Sequence, residues 1–191
     1  PAPDPAAAAI GTALVGHSLG GRAAMLAALR RPDLVPRLVI ADSAPLAGPA
    51  GPLARYATAL QELDLARLSS RQEADRAMAT AIPDPRIRGF LLASLRPSAD
   101  GSWSWLFNLD VLARDIDAAT AWPDLDGQPP YPGPVLWLLG QHSGHVPPAA
   151  REQMRALFPR AVAVTVKAAG HWVHADQPAV VSQAIRQFAA G

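Results

Sequence analysis

The chain has 191 residues, which is enough for one domain, or for one domain with an inserted cap, and enough to bury a substantial core. Half of the residues are hydrophobic, 17% are charged and the formal net charge is +1, so the composition indicates neither a nucleic-acid surface nor an acidic-partner patch, and we expect a small-molecule partner. The chain has no cysteine, which excludes disulfides, thiolate nucleophiles and cysteine-based metal sites and leaves the compartment open.

The first residues of the chain predict a buried strand and no transmembrane segment. The longest apolar stretch, Ala6–Val15, is too short to cross a bilayer, and no basic region typical of a signal peptide precedes it. We interpret Gly11–Val15 as a short strand. Because the sequence begins with Pro1 rather than methionine, we expect it to be a processed product or part of a longer chain.

Ser18 is the centre of a GHSLG pattern at Gly16–Gly20, between the predicted strand and an alanine-rich, helix-forming segment that extends to Arg30. This strand, turn and helix are the context of a nucleophile elbow, which holds a serine hydroxyl out on a strained turn. Glycines fit there because flanking side chains would collide. The same pattern can arise by chance as a plain tight turn, but its context favours a nucleophilic Ser18.

The following residues complete a strand, helix and strand. Pro32 ends the predicted helix, and Leu34–Ala41 is an apolar run rich in β-branched residues. This run closes on Asp42–Pro45, whose polar residues and proline indicate a loop at the carboxyl end of a strand. The spacing predicts a βαβ unit with a parallel sheet, and therefore an α/β fold.

The middle of the chain changes character. Apolar residues recur at helical spacing, so we predict an inserted helical cap at about residues 50–128, with helices and no strands between them. Within it, residues 99–101 indicate a tight turn. The aromatic segment Trp103–Phe107 has two interpretations, which are packing of the cap against a domain and lining of an acyl pocket. The proline-rich Pro129–Pro134 is interpreted as a stiff linker back to the sheet.

Alternation of strands and helices resumes after this linker. The predicted elements are a buried strand at Val135–Leu139, a helix at Pro148–Phe158, a strand at Val162–Val166 and a closing helix at Gln177–Ala190. The whole chain therefore predicts a parallel sheet flanked by helices with an inserted helical cap.

A serine is a poor nucleophile at neutral pH unless a base lies within hydrogen-bond reach and a third group orients that base. His171 is the best candidate, because it follows the last predicted strand and so lies at the same sheet edge as Ser18. His174 is a competing base, although it leads into a helix for which Asp176 is a plausible N-cap. We expect His17 to point away from the elbow and to serve packing.

The acid that would orient His171 has two candidates. The loop at residues 140–146, after the strand Val135–Leu139, contains no carboxylate. Asp42 ends the neighbouring predicted strand at the same edge, where its alternative role is that of a turn residue. Asp110 is the rival, and its alternative role is N-cap of the following helix.

A metal site is a distant alternative. Its ligands would be drawn from His142, His145, His171 and His174. No acidic residue accompanies either His-x-x-His pair, and the helical context of a zinc motif is absent, so we expect no metal ion here.

Five segments resemble the small esterases of the α/β-hydrolase superfamily, in particular the family of abhydrolase domain-containing protein 11 and its bacterial esterase relatives. These segments are GHSLGG at Gly16–Gly21, IADSAP at Ile40–Pro45, FNLD at Phe107–Asp110, FPRA at Phe158–Ala161 and AGHWVHAD at Ala169–Asp176. GHSLGG is common to the superfamily, whereas AGHWVHAD and the loop without a carboxylate are more specific.

The resemblance implies the C-terminal part of an α/β-hydrolase fold and ester hydrolysis of an acyl ester or lipid substrate, without a metal or organic cofactor. It implies that Ser18 and His171 act with a carboxylate, and that the backbone amide of Leu19 donates to the oxyanion. It leaves both Asp42 and Asp110 open as the acid, and we favour Asp42.

The sequence departs from this family at its beginning. Such enzymes carry several strands and a His-Gly loop before the elbow, whereas only a short segment precedes Gly11–Val15 here. We expect the second oxyanion donor to be missing, a loss that typically costs about 10²- to 10³-fold in rate, and we expect an unpaired strand edge. The alternative function is therefore a catalytically inactive truncated fragment or a binding module. The oligomeric state is not determined by the sequence.

Overall fold

The computed structural model describes residues 12–48, 51–98 and 101–191. In chain order, the elements are β1 (Leu14–His17), α1 (Leu19–Arg30), β2 (Leu38–Ala41), α2 (Gly51–Gln61), α3 (Arg71–Met78), α4 (Pro85–Leu92), β3 (Leu95–Pro97), β4 (Trp103–Trp105), α5 (Leu109–Arg114), α6 (Ile116–Thr120), β5 (Val135–Gly140), α7 (Ala150–Leu157), β6 (Ala161–Val166), α8 (Val173–Asp176) and α9 (Pro178–Ala190). Two predicted features lie outside the described residues, namely the start of the first strand at Gly11 and the turn residues Ala99 and Asp100.

The chain divides into two units. Unit 1 combines the residues up to Leu46 with Trp122–Gly191, and unit 2 is the intervening segment Ala47–Ala121. The insertion expected at about residues 50–128 begins and ends slightly later than unit 2.

Unit 1 is built on a parallel sheet with the strand order β1-β2-β5-β6. Its register aligns the carboxyl ends of neighbouring strands, since His17 lies level with Ala41, and Ala41 lies level with Leu138. The central strands β2 and β5 are almost completely buried, as expected for parallel strands that helices cover on both faces. The predicted α/β class and the parallel βαβ unit are confirmed.

Two apolar layers cover the sheet of unit 1. In one, Met25 of α1 and Met154 of α7 belong to the same buried cluster as Trp137 and Phe158. In the other, residues of α8 and α9 join residues of β2 and β5, and its buried members include Val39, Leu138, Val173 and Val181. Burial of such large side chains contributes about 1.5–3 kcal/mol each, so these layers fix the strand ends that carry the polar residues described below.

The structure corrects the strand predicted at Leu34–Ala41. Leu34 is 57% exposed and belongs to a short 3-10 turn at Pro32–Leu34, and the strand begins only at Leu38. Pro32 sits in the first turn of that 3-10 segment, where its fixed φ favours a helical turn and not a strand. The predicted strand was too long because Leu34, an apolar residue on the surface, was counted as part of it.

Unit 2 contains helices α2 to α6 and a small antiparallel sheet of β3 and β4. The prediction of helices without strands was therefore wrong at these two segments, because strands of three residues are too short to display an alternating pattern. Trp103, Trp105 and Phe107 pack against the buried cluster of unit 2, and the rings of Trp105 and Phe107 stack at 5.9 Å. In the part of the chain that the structure describes, no helix has both the length and the hydrophobicity that crossing a membrane requires.

Candidate active site

Ser18 occupies a sharp turn between β1 and α1. Its φ of 53° lies in the left-handed region, which residues other than glycine rarely adopt, so the predicted strained turn is confirmed. The Ser18 amide donates to the carbonyl of Ala41 at 3.1 Å, and the Ser18 carbonyl accepts from the amide of Gly21 at 2.9 Å. These bonds hold the turn at the carboxyl edge of the sheet.

The glycines around Ser18 differ in how much space a side chain would have at each position. A Cβ atom on Gly16 would lie 2.8 Å from Cβ of Ala24, and one on Gly21 would lie 2.7 Å from Cβ of Ser43. A Cβ atom on Gly20 would meet none of the described atoms within 4 Å. The predicted collision therefore holds for Gly16 and is wrong for Gly20.

Leu19, the candidate oxyanion donor, is the first residue of α1 and directly follows Ser18. The amides in the first turn of a helix have no acceptor within the helix, and they lie at the positive end of its dipole. A negatively charged oxygen near Ser18 would therefore find a favourable environment at this helix end.

A continuous hydrogen-bonded chain joins three side chains at the sheet edge. Nε2 of His171 lies 2.9 Å from Oγ of Ser18, and Nδ1 of His171 lies 2.8 Å from Oδ2 of Asp42. His171 belongs to the loop between β6 and α8, and Asp42 directly follows β2 with a φ of 48°. The structure thus brings together the three side chains that the sequence singled out.

Asp42 is 1% exposed and accepts three hydrogen bonds. The Gly140 amide donates to its Oδ1 at 3.0 Å, and Ser143 Oγ and His171 Nδ1 both contact its Oδ2. Burial by itself would raise the pKa of Asp42, but the hydrogen bonds from His171, Ser143 and Gly140 outweigh it and hold this pKa below its ordinary value. The carboxylate is therefore ionised at neutral pH.

Ser143 is a site residue that the sequence reasoning missed. It lies in the loop after β5, where the sequence had indicated only possible histidine ligands and the lack of a carboxylate. Its hydroxyl donates to Asp42 and also accepts from the amide of His145 at 3.2 Å. The available signal was its position, because a short polar residue just after a parallel strand lies at the edge where Asp42 ends the adjacent strand.

Asp110, the alternative acid, has a different environment. It lies in the first turn of α5 in unit 2, and its Oδ1 accepts a hydrogen bond from Nε2 of Gln61 at 3.2 Å. The N-cap of α5 is Asn108, whose side chain accepts from the amide of Val111. The prediction of Asp110 as an N-cap was therefore wrong.

Asp176 is also not an N-cap. It is the last residue of α8, and Gln177 is the N-cap of α9. Its Oδ2 accepts from the amide of Gly170 at 2.8 Å, which ties down the loop that carries His171. The prediction failed because a separate helical turn, Val173–Asp176, precedes α9, so Asp176 ends one helix and does not cap the start of the next.

His17 does not point away from the site, contrary to the prediction. It is the last residue of β1, and its Nε2 donates to the carbonyl oxygen of His171 at 2.8 Å. The two rings lie 4.7 Å apart, and the ring of His174 lies edge-on at 4.8 Å from that of His17. Burial lowers the pKa of His17 more than the hydrogen bond to His171 raises it, so His17 is neutral at neutral pH.

His145 stacks directly on His171. The two ring centroids lie 3.6 Å apart and the ring planes differ by 15°. His145 is an exposed residue, but its partial burial lowers its pKa, the charge that His171 carries when protonated and the charge of Arg22 lower it further, and Asp42 opposes them. From the sequence, His145 was a candidate only for metal binding.

Asp42, His145 and His171 offer possible metal-ligating atoms within 4.8 Å of one another. This set differs from the four histidines considered from the sequence, because it contains Asp42 and lacks both His142 and His174. The Asp42 carboxylate and the Nδ1 atom of His171 are already used in hydrogen bonds with each other, and Asp42 accepts two more. We therefore assign no metal site to these residues.

A sequence model of the alpha/beta hydrolase family matches residues 4–184. The chain belongs to the α/β-hydrolase family. The fold class and the resemblance that the five sequence segments indicated are thereby confirmed.

This α/β hydrolase has relatives that are named lipases and esterases. It is 39% identical over 182 residues to the sn-1-specific diacylglycerol lipase ABHD11 of Mus musculus, covering 93% of this chain and 58% of the mouse protein. It is 31% identical over 174 residues to Esterase YbfF of Escherichia coli (strain K12), covering 91% of this chain and 65% of that protein. A solved structure titled "Marine microorganism esterase" matches with a TM-score of 0.85 at 29% identity, over 91% of this chain and 68% of that one. The chain thus spans less than two thirds of the length of these two curated relatives.

Proposed function

We propose that this protein is a serine hydrolase that cleaves acyl esters through a triad of Ser18, His171 and Asp42 and an acyl-enzyme intermediate. The observation that carries the proposal is the hydrogen-bonded chain from Oδ2 of Asp42 through both ring nitrogens of His171 to Oγ of Ser18, with distances of 2.8 and 2.9 Å. This order of acid, base and hydroxyl is the one that nucleophilic catalysis by serine requires.

The first step forms the acyl-enzyme. His171 Nε2 takes the proton of the Ser18 hydroxyl while Oγ bonds to the ester carbonyl carbon, and the electron pair of the carbonyl bond moves to the oxygen. The Leu19 amide donates to this oxyanion. When the carbonyl bond re-forms, the bond to the leaving alkoxide breaks and the alkoxide takes the proton from His171.

The second step releases the acid. A water molecule gives a proton to His171 and its oxygen attacks the acyl carbon, and the second tetrahedral intermediate then expels Ser18 Oγ, which recovers its proton from the imidazolium. Throughout both steps, Asp42 holds Nδ1 protonated and stabilises the positive charge on the ring. Ser143 and the Gly140 amide keep the Asp42 carboxylate in place.

The proposed substrate class is an acyl ester, including glycerolipid esters. This proposal is supported by the names of the relatives, since the mouse protein is a diacylglycerol lipase and the bacterial protein is an esterase. We also infer that unit 2, which the chain inserts between β2 and β5, is the cap that the sequence predicted at about residues 50–128.

The test is covalent labelling with a fluorophosphonate probe, followed by identification of the modified residue by mass spectrometry. We expect labelling at Ser18 that is lost in Ser18→Ala and in His171→Ala. Ser182→Ala, which alters an exposed serine of α9, is the matched control and should label normally. Absence of labelling in well-folded protein would instead favour a non-catalytic binding module.

A further inference from the structure

His145 makes a contact with His171 that the proposed triad does not use. The hydrogen bonds of Nδ1 to Asp42 and of Nε2 to Ser18 fix two points on the edge of the His171 ring. They do not by themselves prevent the ring from rocking about the line through these two atoms. The ring of His145, parallel to it within 15° at 3.6 Å, covers one face and blocks this motion.

We propose that His145 is a positioning residue for His171, whose neutral ring holds the imidazole in the plane of Ser18 and Asp42 and stabilises the imidazolium that forms during the reaction. This inference rests on the proposed function, because it needs His171 to become charged in the reaction. The chemistry is a cation–π interaction, in which the electron-rich face of an aromatic ring attracts a cation against it.

The position of His145 is itself fixed. Its amide donates to Ser143 Oγ at 3.2 Å, and its Nδ1 lies 3.3 Å from the same oxygen. Ser143 in turn donates to Asp42. The stacking ring and the carboxylate are thus anchored through one hydroxyl, so His145 keeps its place relative to the acid as well as to His171.

The charged groups around His145 come from three other elements. They are Arg22 of α1, Asp42 at the end of β2, and His171 on the loop after β6. Partial burial, protonated His171 and Arg22 all disfavour a charged His145, and Asp42 favours it, so the pKa of His145 lies below its ordinary value. At neutral pH the ring is therefore neutral and can accept a cation on its face.

Protonation of His145 reverses its effect. A second cation against His171 would repel the imidazolium instead of stabilising it. In acid, protonation of His145 should therefore add to the loss of rate, and the logarithm of the rate should fall more steeply in the wild type than in a variant whose residue 145 cannot be protonated.

The experiment measures the rate of fluorophosphonate labelling of Ser18 as a function of pH in matched variants. His145→Phe keeps a flat aromatic ring that cannot be protonated, so its rate at neutral pH should stay within about twofold of wild type, and its rate should fall less steeply in acid than that of wild type. His145→Ala lacks the ring, and we expect its rate at neutral pH to fall about three- to tenfold. His142→Ala, which changes an exposed histidine of the same loop, should keep the wild-type rate and slope.

A wild-type rate and slope in His145→Ala would overturn the inference and leave the proposed function standing. If labelling fails altogether, that result counts against the proposed function. A second measurement then tests the stacking of His145 on His171 without any labelling. We would follow the His145 ring by NMR during a pH titration of the protein and of His171→Ala. Its midpoint should rise when His171 is removed, because one of the positive charges acting on it is lost. An unchanged midpoint would overturn the stacking arrangement.

Discussion

Nδ1 of His171 lies 2.8 Å from Oδ2 of Asp42, although the two residues are 129 positions apart in the chain. The contact is possible because both residues follow parallel strands, β6 and β2, whose carboxyl ends meet at one edge of the sheet. It places a buried anion beside an imidazole, and the Gly140 amide at the end of β5 and the Ser143 hydroxyl in the following loop hold that anion.

Replacement of Asp42 by Asn should lower ester hydrolysis about 10⁴-fold, which is the loss seen when the triad acid of a serine protease becomes an amide and the histidine tautomer is wrong. Asp110→Asn is the control, since Asp110 bonds Gln61 within unit 2, and its activity should stay within a few fold of wild type. Steady-state kinetics on a chromogenic short-chain ester measures both. A large loss in Asp110→Asn with little change in Asp42→Asn would mean that the acid is assigned to the wrong residue.

Replacement of Ser143 by Ala should destabilise the protein at neutral pH, because it removes a hydrogen bond to a buried carboxylate. Hydrogen bonds to charged groups are worth about 1.5–3 kcal/mol, and denaturant unfolding should detect this loss. Ser143→Thr keeps the hydroxyl and should therefore retain most of the stability that Ser143→Ala loses. Equal stability of the alanine and threonine variants would contradict a role for the hydroxyl.

The sequence was sufficient to predict the main part of the fold and the proposed triad. The strand, turn and helix around Ser18 have a local pattern, and the ends of parallel strands meet at one edge whatever the details of packing. Those two facts already place Asp42 and His171 near Ser18. The central strands β2 and β5 were predictable because a buried strand is a continuous apolar run.

The histidine cluster was not predictable from the sequence. The contacts of His17 and His145 with His171 depend on the conformations of loops that no periodic pattern encodes. A histidine next to a serine nucleophile has no preferred direction that spacing alone could indicate. The hairpin of β3 and β4 was missed for a different reason, because three residues do not complete a repeat of any pattern.

Replacement of Gly16 by Ala should destabilise unit 1, whereas Gly20→Ala in the same motif should not. A Cβ atom on Gly16 would press on Cβ of Ala24 and on the Gly20 carbonyl, and overpacking of this kind costs about 1–3 kcal/mol. A Cβ atom on Gly20 meets none of the described atoms within 4 Å, and alanine is the better helix former by about 1 kcal/mol. Thermal unfolding should therefore rank Gly20→Ala at or above wild type, and Gly16→Ala below it. The opposite order would mean that the turn is built differently.

The stability of the protein should fall in acid partly because of His17. Burial holds the pKa of His17 below its ordinary value of 6.5, so between these two values the unfolded chain binds more protons than the folded one. The contribution of neutral His17 to the free energy of unfolding is therefore complete above about pH 6.5. It declines as the pH falls towards the lower pKa of His17 in the folded state.

His17→Gln isolates this contribution, because the glutamine amide can donate to the His171 carbonyl as His17 Nε2 does, and it does not titrate. The free energy of unfolding, measured in urea over this pH range, should fall less steeply in the variant than in wild type. A remaining slope is expected from His145, whose pKa is lowered in the same direction. Parallel curves for the two proteins would mean that His17 is not buried as a neutral ring, and the contact between the elbow and the His171 loop would then need another explanation.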